Sequence, residues 1–207
     1  LPPHLTAATG FDALVHCYEA FCAPGYQPMA DGIALEGMRL AAEYLPRAVA
    51  NSDDMEARAQ MMAVAAMGAT AFQKGLGGVH ALAHAIGALH DTHHGLTNAV
   101  VMPYVMQANG HAIETQMALL GRILGLEKQN FDGVLQWVLG LREQIGIPHE
   151  ATALGVDASN ADEMGRRAIK DPTAAGNPIP HSAETYAEIY RNACAGTLQP
   201  LRRDGWA

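Results

Sequence analysis

Two spaced pairs of side chains in this sequence could hold a metal ion. In "TGFDALVHCYEA" Asp12 and His16 are four positions apart, and in "GGVHALAHAIGALHDTHHG" His80 and His84 repeat the spacing. Four residues make roughly one helical turn, so each pair projects from one face, about 6 Å apart along the axis. The second stretch, residues 77–95, holds five of the chain's ten histidines: His80, His84, His90, His93 and His94, with Asp91 among them. Two imidazoles at this spacing are the common helical way to present nitrogen ligands to one metal. Ala81 stands where a zinc protease would carry Glu, so that pattern fails. Around Asp12 the strip is apolar (Phe11, Leu14, Val15, Tyr18), and a carboxylate there is destabilising unless paired or bound to a cation. Taken alone, each pair reads better as a hydrogen-bonded or solvated feature of a helix. Together they offer mixed imidazole and carboxylate donors, a set that suits Fe(II), Zn(II) or a similar divalent ion. Spacing alone leaves open which of His84, His93 and His94 completes the set.

The elements that must position these residues are helical nearly throughout. Ala, Leu, Met, Glu and Gln dominate, and β-branched runs are scarce. The pattern predicts helices over about 5–22, 29–50, 54–73 and 77–89, with Pro46 disturbing the end of the second and Ser52 or Asp53 capping the third. A loop through 90–95 leads to a fifth helix ending near 108–110, followed by helices over about 112–125 and 130–145. "IPHE" opens a helical turn, "DASNADEMGRRAI" has Ser159 and Asp162 in capping-box spacing, and "HSAETYAEIYRNACAG" is a last helix. The apolar run "MMAVAAMGATAF" (61–72) reads as a buried helix with Met61, Met62 and Met67 as core filler, and is too short to span a bilayer. No strand–helix alternation appears, so no dinucleotide-binding sheet is encoded. The reading is one all-α domain, a helical bundle over residues 1–207.

Composition narrows the function classes. The chain has 207 residues, 49% of them hydrophobic and 16% charged, with a net charge of −8. That balance excludes a nucleic-acid wrapper, which needs clustered Lys and Arg. Cys17, Cys22 and Cys194 form no CxxC pair, so a reducing cytosol is the natural setting. No signal peptide or membrane span is visible. The start, "LPPHLTAATG", lacks Met and enters a helix almost at once, which reads as a cut end. "KGLGGVH" lacks both the GxGxxG spacing and the Lys-Ser/Thr of a phosphate loop, and reads as a tight turn that lets helices approach. His90-Asp91 raises a rival, a metal-dependent HD-type phosphohydrolase, for which Asp132, Asp157 and Asp171 are available but lie on no obvious helical face. A helical metal-binding module without catalysis is a third reading. His4, His111, His149 and His181 have no partner in sequence and read as surface residues.

"TAATGFDALVHCYEA" followed by "GLGGVHALAHAIGALHDTHHGLTNAVVMPYVMQAN" resembles the metal-binding half of the iron-dependent (group III) alcohol dehydrogenases, over essentially the whole chain. The resemblance implies a dehydroquinate synthase-like helical domain, with the family's N-terminal α/β NAD(P)-binding domain missing from this chain. Carried over by position, it implies Asp12, His16, His80 and His94 as metal ligands, and His84 as a non-ligand placed to touch substrate or relay a proton. The implied cofactors are a divalent metal, Fe2+ first and Zn2+ as the alternative, and NAD(P) through the missing domain. The implied chemistry is hydride transfer between a small alcohol or aldehyde and a nicotinamide, with the metal as Lewis acid. The implied partners are that substrate and the N-terminal domain, with no nucleic acid and no membrane; homo-oligomer formation is left open. On this reading the isolated chain folds and binds metal but is weakly active or inactive. Two departures stand out: His93 occupies a position that is often proline, and Ile179 follows Asn-Pro where Arg is common.

Overall fold

A computed structural model describes residues 1–198. Among them the secondary structure is helical, without strands. The helices are α1 (Pro3–Cys22), α2 (Pro28–Ala50), α3 (Met55–Ala71), α4 (Gly78–His90), α5 (His94–Asn109), α6 (Glu114–Ile123), α7 (Phe131–Gln144), α8 (Ala161–Ala168) and α9 (Ala183–Ala195). Short 3-10 turns punctuate the links, including Phe72–Lys74 before α4 and Pro172–Gly176 before α9. No helix among the described residues is long and apolar enough to cross a membrane.

Helix α1 runs through the middle of the structure and packs on α2, α3 and α5; α4 packs on α5 and α8, and α8 on α9. Its sequence explains the placement. Phe11, Leu14, Val15, Tyr18 and Phe21 bury one broad apolar face, and the small residues Ala13, Cys17 and Ala20 are buried on the other side, as in a helix apolar on several sides. Each such side chain contributes about 1.5–3 kcal/mol when buried. Pro3 opens the helix at its first position, where the missing N–H has no intrahelical partner anyway. Helix α5 is buried almost as completely, from Gly95 to Asn109.

Three local expectations need correction. Asp54, not Ser52 or Asp53, caps α3: its side chain accepts from the Ala57 N–H at 2.9 Å and also pairs with Arg47. The Ser159–Asp162 capping box does not form; Asp157 instead accepts from the Ser159 N–H in a turn just before α8. The apolar run 61–72 is not a buried helix, because α3 turns only one face inward. Met61 is buried there, whereas Met62 is 76% exposed. Pro46 is accommodated inside α2, which continues to Ala50.

Candidate metal centre

Three helices meet at one point. Helix α1 contributes Asp12 and His16, α4 contributes His80, and the first residue of α5 is His94. Each of the four offers one ligand atom, and these atoms all lie within 4.8 Å of one another. Asp12 Oδ1 is 3.7 Å from His80 Nε2 and 3.7 Å from His94 Nε2. The His16 ring stacks on the His80 ring with centroids 4.8 Å apart, and it also meets the Phe72 ring in a T-shaped arrangement with centroids 5.3 Å apart. The close approach of α5 to α1 depends on Gly95: a Cβ there would lie 2.6 Å from the Ala8 carbonyl oxygen. That contact sets His94 beside Asp12.

A polar layer surrounds the four residues. Asn98, one turn after His94 and fully buried, donates from Nδ2 to Asp12 Oδ1 at 2.7 Å. The same nitrogen lies 3.0 Å from His94 Nε2 and 3.2 Å from His80 Nε2. One amide with two N–H groups thus faces three acceptor sites. Glu19, on the same stripe of α1 as Asp12 and His16, reaches His80 from behind: its Oε2 is 2.7 Å from His80 Nδ1. Its Oε1 accepts from the Val79 N–H at 2.7 Å. Burial holds the His16 and His94 imidazoles below their usual range against the opposing pull of Asp12, so both are neutral nitrogen donors near pH 7. The donor set of one carboxylate and three imidazoles, converging from three helices, fits a divalent transition metal.

The remaining histidines of residues 77–95 part company with these. His84 is exposed at the rim, its ring stacked on His94 with centroids 5.3 Å apart. Its Nδ1 meets Asp171 Oδ2 at 3.0 Å. His93 is the N-cap of α5 and accepts from the Leu96 N–H through Nδ1, which explains a side chain at the position where the family often has proline. His90 ends α4, with Nε2 2.8 Å from the Asn160 amide nitrogen, and Asp91 is a left-handed C-cap. Neither belongs to the metal-competent cluster, which removes the sequence basis of the HD-type reading. His181 is not a plain surface residue: its ring packs edge-on against Tyr186 and its Nε2 is buried without a partner.

Sequence reasoning missed Glu19 and Asn98, and it named Asp171 as a spare carboxylate and as the Asp of "DPTAAGNPIPH", a stretch resembling the family's Asp…Asn-Pro segment, without pairing it with His84. Glu19 carried a legible signal, since Asp12, His16 and Glu19 follow the i, i+4, i+7 stripe of one helix face. Asn98 stands four residues after His94, the same spacing. Asp171 had no such signal.

An all-helical unit with a His/Asp cluster at the junction of three helices defines a class of metal-binding domain. Comparison with known proteins gives the family. Residues 6–194 match the C-terminal region of the Fe-containing alcohol dehydrogenase family, and the chain belongs to that family. It is 40% identical over 200 residues to a 4-hydroxybutyrate dehydrogenase of Cupriavidus necator, covering 91% of this chain and 51% of the relative. It is 35% identical over 202 residues to an NAD-dependent methanol dehydrogenase of Bacillus methanolicus, covering 93% and 52%. Among solved structures, a 1,3-propanediol oxidoreductase superposes with a TM-score of 0.90 at 34% identity, over 93% of this chain and 52% of that one. The chain therefore spans about half the length of the relatives it matches.

Proposed function

We propose that Asp12, His16, His80 and His94 together bind one divalent cation, Fe2+ first and Zn2+ as the alternative. The chain then forms the metal-bearing side of an NAD(P)-dependent alcohol dehydrogenase acting on a small alcohol or aldehyde. The observation that carries this reading is the convergence of four ligand atoms within 4.8 Å from three separate helices. When bound, such a cation supplies Lewis acidity toward the substrate oxygen. The chain's own residues do the rest. Neutral imidazoles at His16 and His94 leave lone pairs free for coordination. Asn98 holds the Asp12 carboxylate by its amide N–H. His84 stands exposed beside His94, its Nδ1 engaged by Asp171, so that its Nε2 is free to take or return the hydroxyl proton.

NAD(P) is assigned to the N-terminal part of the family's two-domain plan, outside the region matched here. Of the single unit expected over 1–207, residues 1–198 act as one helical metal-binding unit and 199–207 lie outside the described residues; the three cysteines, all free and buried, are in keeping with a cytosolic setting. The isolated chain is expected to fold and bind metal while turning over alcohol weakly or not at all.

Metal analysis and chelator competition on the wild-type chain and on His94→Ala test the reading. Stoichiometric metal on wild type, lost in the variant, is expected. A wild-type chain without measurable affinity for Fe2+ or Zn2+ would remove the metal site. Normal NAD(P) reduction by the 207-residue chain alone would overturn the assignment of the cofactor to another domain.

A further inference from the structure

We propose that Glu19 is the positioning residue of this metal centre: it locks His80 in the tautomer whose Nε2 lone pair faces Asp12 and His94, and caps helix α4 with the same carboxylate. The proposal rests on the reading that the four residues bind metal.

Glu19 is only 4% exposed, and both of its oxygens are engaged. Oε1 accepts from the Val79 N–H at 2.7 Å. Oε2 accepts from His80 Nδ1 at 2.7 Å, with the His80 backbone N–H further off at 3.4 Å. Helix α4 begins at Gly78 after Gly77 and has no side-chain cap of its own. Its first N–H groups therefore need an outside acceptor, and a carboxylate at a helix N-terminus also meets the positive end of the dipole. The glycines make this possible: a Cβ on Gly77 would lie 3.0 Å from Glu19 Oε1.

The carboxylate then decides where the imidazole carries its proton. A neutral imidazole has one N–H and one lone pair. With Nδ1–H donating to Glu19, the lone pair must sit on Nε2, which points at Asp12 Oδ1 and the Asn98 amide. Carboxylate–histidine pairs of this kind fix ring orientation and raise ligand basicity at metal sites. Charge balance points the same way. Among the described residues, Asp12 and Glu19 pair with histidines and with no Lys or Arg, leaving two carboxylates beside three imidazoles. A divalent cation neutralises that arrangement.

Glu19→Gln is the informative variant. Its amide oxygen can still accept from Val79, preserving the cap, but its amide nitrogen donates to His80 Nδ1 and drives the proton to Nε2. Zn2+ affinity, measured by chelator competition on the full 207-residue chain, is expected to fall about 10- to 100-fold, the range for loss of such a partner. Nitrogen-15 NMR of histidine-labelled protein is expected to show His80 as the Nδ1–H tautomer in the metal-free wild type and as Nε2–H in the variant. Unchanged Zn2+ affinity in a folded Glu19→Gln overturns the proposal. So does an Nε2–H tautomer in the wild type, a result that stands even if the variant fails to fold. A wild-type chain that binds no Zn2+ yet shows the Nδ1–H tautomer overturns the metal role while keeping the cap, and counts against the metal-site reading itself.

Discussion

His84 Nδ1 lies 3.0 Å from Asp171 Oδ2, although the two residues are 87 positions apart. Asp171 is itself held: its other oxygen accepts from the Thr173 N–H at 2.9 Å and from the Thr173 hydroxyl at 2.6 Å. Burial pushes the Asp171 carboxyl up, but the hydrogen bonds from Thr173 and His84 outweigh it and keep it below the usual carboxylate range. An ionised Asp171 can only accept, so His84 presents its Nε2 lone pair outward. In an active dehydrogenase containing this chain, His84→Ala is expected to lower kcat by about 100-fold or more. Asp171→Asn should lower it less. Both variants should retain bound metal, which separates this pair from the four proposed ligands. Steady-state kinetics with metal analysis on the same samples checks both points.

Removing His94 should act in the opposite way. The side chain is 44% exposed, with the His80 and His84 rings and the Asn98 amide as its neighbours, so the metal-free fold of His94→Ala should be close to wild type. What disappears is the stabilisation that saturating metal gives. At a concentration 100 times Kd, binding is worth about 2.7 kcal/mol. For a chain of this length that corresponds to a Tm rise of roughly 5–10 °C. Thermal melts with and without Zn2+ should show the rise in wild type and little or none in the variant.

Gly95→Ala tests the packing that brings α5 to α1. A Cβ would lie 2.6 Å from the Ala8 carbonyl oxygen and 3.1 Å from Asp12 Cβ, and backbone cannot swing aside as a flexible side chain can. Overpacking of this kind destabilises by roughly 1–3 kcal/mol. The displacement falls between His94 and Asp12, so metal affinity should drop together with stability. Denaturant unfolding and chelator competition, run on the same variant, should move together. A loss of stability with unchanged metal affinity would break the link.

Acid sensitivity should trace in part to His181. Burial, with a smaller contribution from His111, depresses its pKa from 6.5 to about 4. The unfolded chain therefore binds a proton at this residue at a higher pH than the folded chain does. Stability from this group is fully present above about pH 6.5 and is lost as pH falls toward 4. His181→Gln cannot take up that proton, so its unfolding free energy should decline less steeply between pH 6.5 and 4 than that of wild type. Parallel slopes for the two proteins would show that His181 does not titrate this way.

The sequence made some of this arrangement readable and concealed the rest for identifiable reasons. Asp12–His16 and His80–His84 share helical faces, so periodicity alone exposed them, and the long helices around them followed from composition. Choosing His94 over His84 as the partner of His80 required the family resemblance, because a helix start after a short loop has no spacing rule. Asp171 was out of reach: its meaning depends on a turn folding back onto α4. The cap of α3 was expected at Ser52 or Asp53 and falls one residue further on, at Asp54, which also pairs with Arg47 of another helix. Met62 was read as core because an Ala- and Met-rich helix looks equally apolar on its buried and exposed faces.

Glu19 and His80 are 61 positions apart, and their contact joins the ends of a long excursion through α2 and α3. Closing such an excursion is entropically unfavourable and is offset only when α1 and α4 dock together. The four-residue cluster therefore has no local precursor in a partly folded chain. Were the proposed ligands to take up metal, uptake during refolding would be a clock for tertiary assembly, registering the moment when the first helix and the histidine-rich segment find each other rather than the earlier appearance of helix itself.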